Sequence, residues 1–226
     1  MEGVKGAPGV MPQAFERLFQ LLKGIAEADQ LFIGLAKVSY VQIYNEDVFD
    51  LLQKDKAKAK KELEIREHPK RGFYVDGMTS KVVTSAQGCM KFLEMGKKGR
   101  HTASTAMNRT SSRSHAIFSV TVECGKQGKG KTKCVRQGTI HMVDLAGSED
   151  VRKSEVGGKG LSEAAHINKS LHHLTAVIKA LTAKPREKHI PYRNSSLTKI
   201  LAEAIGGNAK CAMIAAISPL EENNEV

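Results

Sequence analysis

Hydrophobic positions recur with two different periods along this chain. After Pro12 the apolar residues follow helical spacing, which predicts an amphipathic helix through Leu22. Residues 31–44, LFIGLAKVSYVQIY, are rich in β-branched and aromatic residues and predict a strand. A short turn capped by Asn45 is expected to follow it, and residues 62–83 predict further extended segments.

The second half repeats this change of period. Ser85 is expected to open a helix that ends near Gly96, ahead of a polar stretch without a period. Alternation then predicts strands that end at Cys124 and near Asp144. A long apolar stripe from Ile167 to Leu181 predicts a helix, a second helix is expected to stop at Gly206-Gly207, and KCAMIAAIS (residues 210–218) predicts a buried strand.

Strands that alternate with helices favour an α/β fold with a largely parallel sheet flanked by helices. No run of 18 apolar residues is present, so the sequence predicts no membrane span. The four cysteines lack CxxC spacing, which favours reduced thiols in the cytoplasm over a zinc site or a disulfide framework.

Charge narrows the choice of partner. The chain has 226 residues, with 35 Lys and Arg against 24 Asp and Glu, and a net charge of +11. Such a surface favours nucleic acid, anionic lipid or an acidic protein, although basic residues also serve solubility alone. A nucleic-acid binder is disfavoured, because aromatic residues make up only 5% and no recognition motif is visible.

The segment GKQGKGKT, Gly125 to Thr132, matches the phosphate-loop pattern G-x-x-x-x-G-K-[ST]. That pattern binds phosphate only where a strand enters the loop and a helix leaves it. Here the pattern after Thr132 is extended. We therefore expect a solvated hairpin tip.

Two other segments carry nucleotide chemistry. In NRTSSRSH, residues 108–115, the hydroxyls of Ser111 and Ser112 suit Mg²⁺ and a terminal phosphate, and Arg113 suits a carboxylate or phosphate. In VDLAGSE, residues 143–149, a strand delivers the Asp144 carboxylate to its C-terminal end. Gly147 there lets a backbone N–H approach a γ-phosphate.

Together these segments, one strand pair apart, closely resemble the two switch segments of the kinesin motor domain. The resemblance extends along almost the whole chain, through KVSYVQIYNEDVFDLL, HINKSLHHLTAVIKAL, HIPYRNSSLTKIL and IGGNAKCAMIAAISP, in family order. It implies a kinesin-type P-loop NTPase fold, an ATPase motor, and ATP with Mg²⁺ as cofactors.

The resemblance also implies roles for individual residues. Ser111 and Gly147 would contact or sense the γ-phosphate, and Ser112 and Asp144 would hold Mg²⁺, the latter through water. Arg113 and Glu149 would form the salt bridge that closes the switches. The residues implied to shape the switch loop are Asn108 and His115.

The implied partner is the microtubule, whose surface is acidic. The implied contact residues are Lys70, Arg71, Lys153, Lys159, Asn168, Lys169, Arg186, His189, Arg193 and Lys199. Ser196 and Asp150 depart from the family pattern, because basic residues are frequent at both positions. We expect weaker microtubule affinity than is typical, and tighter binding for Ser196→Lys at low salt.

By resemblance, residues 1–226 are an incomplete motor domain, from just after the phosphate loop to just before the last helix and neck. The fragment alone is then expected to be a poor ATPase with exposed sheet edges. Two functions stay open: part of a motor that moves along microtubules in the cytoplasm, or a non-catalytic microtubule-binding protein. The resemblance implies no nucleic acid and no membrane, and it leaves open a dimer through segments outside this chain.

Overall fold

The structure is a computed structural model that describes most of the chain. The described residues are 1–4, 6–59, 61–70, 72–107, 113–127, 132–147, 159–185 and 189–216.

Helices and strands alternate along these residues, as the hydrophobic pattern predicts. The strands are β1 (Gly3–Val4), β2 (Ala7–Pro8), β3 (Phe32–Tyr44), β4 (Asp47–Asp50), β5 (Ile65–His68), β6 (Gly72–Val75), β7 (Lys81–Val83), β8 (His115–Gln127) and β9 (Thr132–Asp144). The helices are α1 (Val10–Ala28), α2 (Lys56–Ala59), α3 (Ala86–Met107), α4 (Lys159–Thr182), α5 (Ser196–Ile200) and α6 (Ala202–Gly206), with a 3-10 turn at Tyr192–Asn194.

The main sheet has five strands built around β3. Its strand order is β4-β3-β8-β9, and β7 pairs with the N-terminal half of β3 beside β4. β3 and β8 pair over twelve positions, from Phe32 with Lys126 to Ile43 with His115. β5 and β6 form a separate hairpin.

Side chains that alternate along the strands supply two cores, one on each face of the sheet. On the first face Phe15 of α1 and Leu93 of α3 pack with Val38, Tyr40 and Phe118. On the second face Leu174 of α4 and Leu197 of α5 pack with Val41, Ile43 and Ile117. The result is a three-layer α/β arrangement, which confirms the predicted fold class.

One part of that prediction is wrong for the described strands, because every pair among them is antiparallel. Alternation of helix and strand indicated parallel pairing, but β3–β4 and β8–β9 are hairpins, whose short connections impose antiparallel pairing. The predicted strand in KCAMIAAIS is also not observed within the described part. Residues 208–216 have no regular structure, and Met213 and Ile214 are exposed, because this segment has no pairing partner among the described strands.

The turn after Tyr44 is a two-residue hairpin loop and not a capped turn. Asn45 and Glu46 have φ values of 52° and 70°, the left-handed region that such loops require and that asparagine tolerates well. The following residues, Asp47–Asp50, then pair back on β3.

Helix α3 continues past its predicted end at Gly96 to Met107. Gly96 faces β3, where an added Cβ would lie 2.2 Å from the Tyr40 ring. The glycine therefore allows close packing of helix on sheet and does not end the helix. This extension places Arg100 above the C-terminal end of β9.

The phosphate-loop look-alike is a hairpin, as expected. β8 ends at Gln127, which pairs with Thr132 at the start of β9, and a strand follows in place of a helix. Residues 128–131 lie outside the described part.

Candidate functional site

His115 joins three segments of the chain. It is the first residue of β8 and is 3% exposed. Its Nδ1 accepts a hydrogen bond from the backbone N–H of Ala146, at 3.0 Å, in the loop that follows β9. Its Nε2 lies 2.7 Å from Oγ of Ser170 on α4. Because Nδ1 accepts, the neutral ring carries its proton on Nε2 and donates to Ser170.

Burial and a neighbouring cation keep this imidazole neutral. Burial chiefly, and then the charge of Arg100, lower the pKa of His115 from 6.5 to about 4, while Asp144 opposes them. The neutral ring is required by the contacts, since a doubly protonated ring would have no acceptor for the N–H of Ala146.

Arg100 is the second element of the site. Its Nη1 donates to Oδ2 of Asp144 at 2.8 Å, and its Nη2 donates to the carbonyl of Ser114 at 2.7 Å. The Arg100 side chain is 10% exposed, whereas that of Asp144 is 60% exposed. A buried guanidinium thus ties α3 to the last residue before β8 and to the end of β9.

Asp144 can hold Mg²⁺ only in the indirect way that the resemblance implies. Its carboxylate is accessible at the end of a strand and offers the oxygen ligand that Mg²⁺ prefers. Arg100, however, already occupies Oδ2 with a positive charge, which disfavours direct coordination of a second cation there. Mg²⁺ keeps several waters in most sites, so the residue fits a water-mediated contact.

The other nucleotide-site predictions are located only in part. Arg113 is half-buried directly before Ser114, and Gly147 is half-buried directly after Ala146, so both adjoin the His115 contacts. Four predicted residues lie outside the described residues: Asn108, Ser111, Ser112 and Glu149. Their roles stay predictions.

Sequence reasoning missed Arg100 and Ser170. Arg100 lies on the buried stripe of α3 that includes Cys89, Leu93 and Gly96, and an arginine on an apolar stripe was the available signal. It was overlooked because the helix was expected to end at Gly96. Ser170 gave no comparable signal, since a serine next to an apolar helical stripe is common.

Basic side chains on the α4–α5 side of the sheet are exposed, as the resemblance implies. Lys70 is exposed at the tip of the β5–β6 hairpin, Lys169 is exposed on α4, and His189 is exposed before the 3-10 turn. Lys199 on α5 is half-buried. These residues lie on the side of the sheet where the resemblance implies microtubule contacts, but their function stays a prediction.

Arg193 is exposed but already paired within the chain. Its Nη2 donates to Oε2 of Glu67 on β5 at 2.7 Å. The remaining predicted contact residues are less well located. Arg71, Lys153 and Arg186 lie outside the described residues, as does Asp150, and Lys159 and Asn168 are placed only by their position on α4.

Ser196 does not lie on an exposed face. It is 8% exposed, its backbone N–H donates to Oε2 of Glu46 at 2.6 Å, and its hydroxyl donates to the carbonyl of Glu46. A lysine at this position would replace the hydroxyl bond and meet the Glu46 carboxylate, whose Oε1 is buried without a hydrogen-bond partner. Tighter microtubule binding by Ser196→Lys therefore no longer follows from added surface charge.

A comparison with models of protein families identifies the family of this chain. The family model described as "Kinesin motor domain" matches residues 1–226. The chain belongs to the kinesin motor-domain family. The His115 contacts thus join the end of the NRTSSRSH segment to the loop after β9 and to α4.

Curated kinesin relatives match nearly the whole chain. It is 40% identical over 223 residues to the kinesin-like protein KIN-7L of Oryza sativa subsp. japonica, covering 98% of the chain and 34% of that protein. It is 41% identical over 217 residues to the human chromosome-associated kinesin KIF4B, covering 96% of the chain and 17% of that protein. The chain thus spans about a third or less of the curated relatives it matches.

Solved kinesin structures share the fold. A KIF14 dimer with AMP-PNP in complex with a microtubule superposes with a TM-score of 0.83 at 38% identity, covering 99% of this chain and 62% of that one. The structure of a fast kinesin gives 0.74 at 38% identity, covering 88% of this chain and 53% of that one. Over the described ranges, no helix of this kinesin chain is long and apolar enough to cross a membrane.

Proposed function

We propose that this chain is part of a microtubule-dependent motor that couples ATP hydrolysis to movement. It contributes both switch segments and the microtubule-binding face. Membership of the kinesin motor-domain family and the microtubule-bound KIF14 neighbour support this proposal.

The His115 contacts are the observation that carries it. A single buried imidazole bonds to Ala146, next to the γ-phosphate sensor implied at Gly147, and to Ser170 on α4. Lys169, an implied microtubule contact, is the neighbour of Ser170 in sequence. A change in the switch loop therefore reaches α4 through the single side chain of His115.

The residues of the chain have distinct parts in the nucleotide step. Arg100 holds Asp144 in place at the strand end, where the carboxylate orients water, and His115 fixes the backbone that presents Gly147. Arg113 and Glu149 close the switches around the attacking water molecule and exclude bulk water from the site. Bound Mg²⁺ would supply the positive charge that neutralises the β- and γ-phosphates.

The basic face supplies the attraction to the microtubule. Exposed cations lie on the hairpin tip, on α4 and around the 3-10 turn, on the same side of the sheet as the second core. The net charge of +11 favours rapid association with an acidic polymer at low salt.

The second candidate is a non-catalytic microtubule-binding protein. The observation that favours it is the ion pair between Arg100 and Asp144, in which a cation of the chain itself contacts the residue implied to hold Mg²⁺. In this case the switch contacts would serve only to hold the fold together.

Microtubule co-sedimentation of the natural full-length protein separates the two. With a motor, the apparent Kd should differ several-fold between AMP-PNP and ADP, and microtubules should stimulate phosphate release from ATP. His115→Ala should bind with an affinity that no longer depends on nucleotide, while Lys91→Ala on the opposite face serves as the control. Tight binding without nucleotide dependence or turnover would favour the second candidate, and no binding would contradict both.

A further inference from the structure

The Glu67–Arg193 ion pair lies on the proposed microtubule face. Arg193 Nη2 and Glu67 Oε2 are 2.7 Å apart, and the two residues are 126 positions apart in sequence. The pair bridges β5 of the hairpin and the 3-10 turn before α5. It therefore exists only because the hairpin packs on the α5–α6 segment.

The hairpin presents two different faces. Ile65 and Val75 pack on the second core, and Glu67, two residues after Ile65, lies on that same face of the strand. Glu64 and Arg66 lie on the other face, where they pair with each other at 3.1 Å. Glu64, directly before β5, and Glu67 carry equal charge, but only Glu67 contacts Arg193, and Arg66 has a second carboxylate partner in Asp76 at 3.0 Å.

Both members of the pair are accessible to a competitor. The Arg193 side chain is 71% exposed and that of Glu67 is 47% exposed. An ion pair this exposed contributes little to stability, because water solvates both charges almost as well as they solvate each other. A carboxylate from a binding partner can therefore replace Glu67 on the guanidinium at small cost.

We propose that Glu67 is an affinity-determining residue that competes with the acidic microtubule surface for Arg193. In the free protein its carboxylate holds the guanidinium. On binding, Arg193 exchanges Glu67 for an acidic group of the partner. This inference rests on the proposed microtubule-binding function.

The test compares Glu67→Gln with Glu64→Gln in the natural full-length protein, by co-sedimentation with microtubules in AMP-PNP. Both variants remove one negative charge from the same hairpin, but only the first releases Arg193. We expect Glu67→Gln to bind about two- to fivefold more tightly than Glu64→Gln at low salt, the range of an exposed ion pair. The difference should shrink as ionic strength rises.

A double-mutant cycle with Arg193→Gln distinguishes competition from general charge. In that background the two glutamate variants should bind alike, because no guanidinium is left to release. Equal or weaker binding by Glu67→Gln, or the same gain in the Arg193→Gln background, would overturn the inference while leaving the proposed function intact. Failure of the unaltered protein to bind microtubules would overturn both.

Discussion

The contacts around His115 and the basic face around Arg193 lie at opposite extremes of accessibility. His115 and Arg100 are almost completely buried, and their partners include backbone groups, the hydroxyls of Ser114 and Ser170, and one carboxylate, at 2.7–3.3 Å. Arg193 is mostly exposed, and within the described part of the chain its carboxylate partner is Glu67. Both regions carry charge, yet only the first should matter much to the stability of the fold.

The difference follows from desolvation. A buried polar group that loses its partner cannot turn to water, so its loss is costly, whereas an exposed group is resolvated at once. Substitutions in the first region should therefore change both the free energy of unfolding and the dependence of microtubule binding on nucleotide. Substitutions in the second should change microtubule affinity alone.

The largest expected effect is the pH dependence that His115 imposes. Its folded pKa of about 4 lies below the ordinary 6.5, so between these values the unfolded chain gains a proton that the folded chain does not. Stability is then fully present above pH 6.5 and falls as the pH drops toward 4, by at most about 3 kcal/mol from this residue. Urea unfolding of the wild type and His115→Asn across this range measures it; equal pH slopes would contradict the assignment.

The next largest effect on stability is expected for Arg100→Met. The change keeps the buried aliphatic volume but leaves the Ser114 carbonyl without this donor and Asp144 without this cation. Because Asp144 is largely exposed, we expect the free energy of unfolding to fall by about 2 kcal/mol. This is less than the full cost of a buried unpaired charge. Lys91→Met on the exposed side of α3 is the control. A loss no greater than the control's would show that the guanidinium is not structurally important.

A pair of glycine substitutions on α3 tests how closely the helix must approach β3. Gly96→Ala places a Cβ 2.2 Å from the Tyr40 ring, and we expect a cost of about 1–3 kcal/mol from overpacking. Gly99→Ala meets only the Leu51 carbonyl at 3.5 Å, and should stabilise the helix by about 0.5–1 kcal/mol. Chemical unfolding measures both, and effects of the same sign would contradict the proposed packing.

The smallest effect on stability is expected on the basic face. Lys169→Gln removes an exposed cation from α4 and should change the unfolding free energy by less than about 0.5 kcal/mol. Microtubule affinity should nevertheless fall several-fold at low salt, and recover relative to wild type as salt screens both proteins. Lys91→Gln, on the opposite side of the sheet, should leave affinity unchanged. Equal losses from both variants would indicate a general charge effect.

The sequence by itself determined the family, the order of helices and strands up to Gly206, and the rejection of the Gly125–Thr132 motif. These depend on local periodicity and on segments whose residues are contiguous, so no three-dimensional information is needed. The same holds for His115, Asp144 and Gly147, which two short motifs bring into view. The periodicity could not show where α3 ends, because Gly96 is read locally as a stop.

Only the tertiary structure decided which groups are paired. Arg100 reaches Asp144 across 44 positions, Glu67 reaches Arg193 across 126, and Ser196 is buried on Glu46 across 150. Each of these pairs joins separate elements that the sheet and its two cores bring together. Hydrogen bonding and burial depend on distance in space, whereas a motif records distance along the chain. For that reason the residue types could be identified in advance, but their partners and exposure could not.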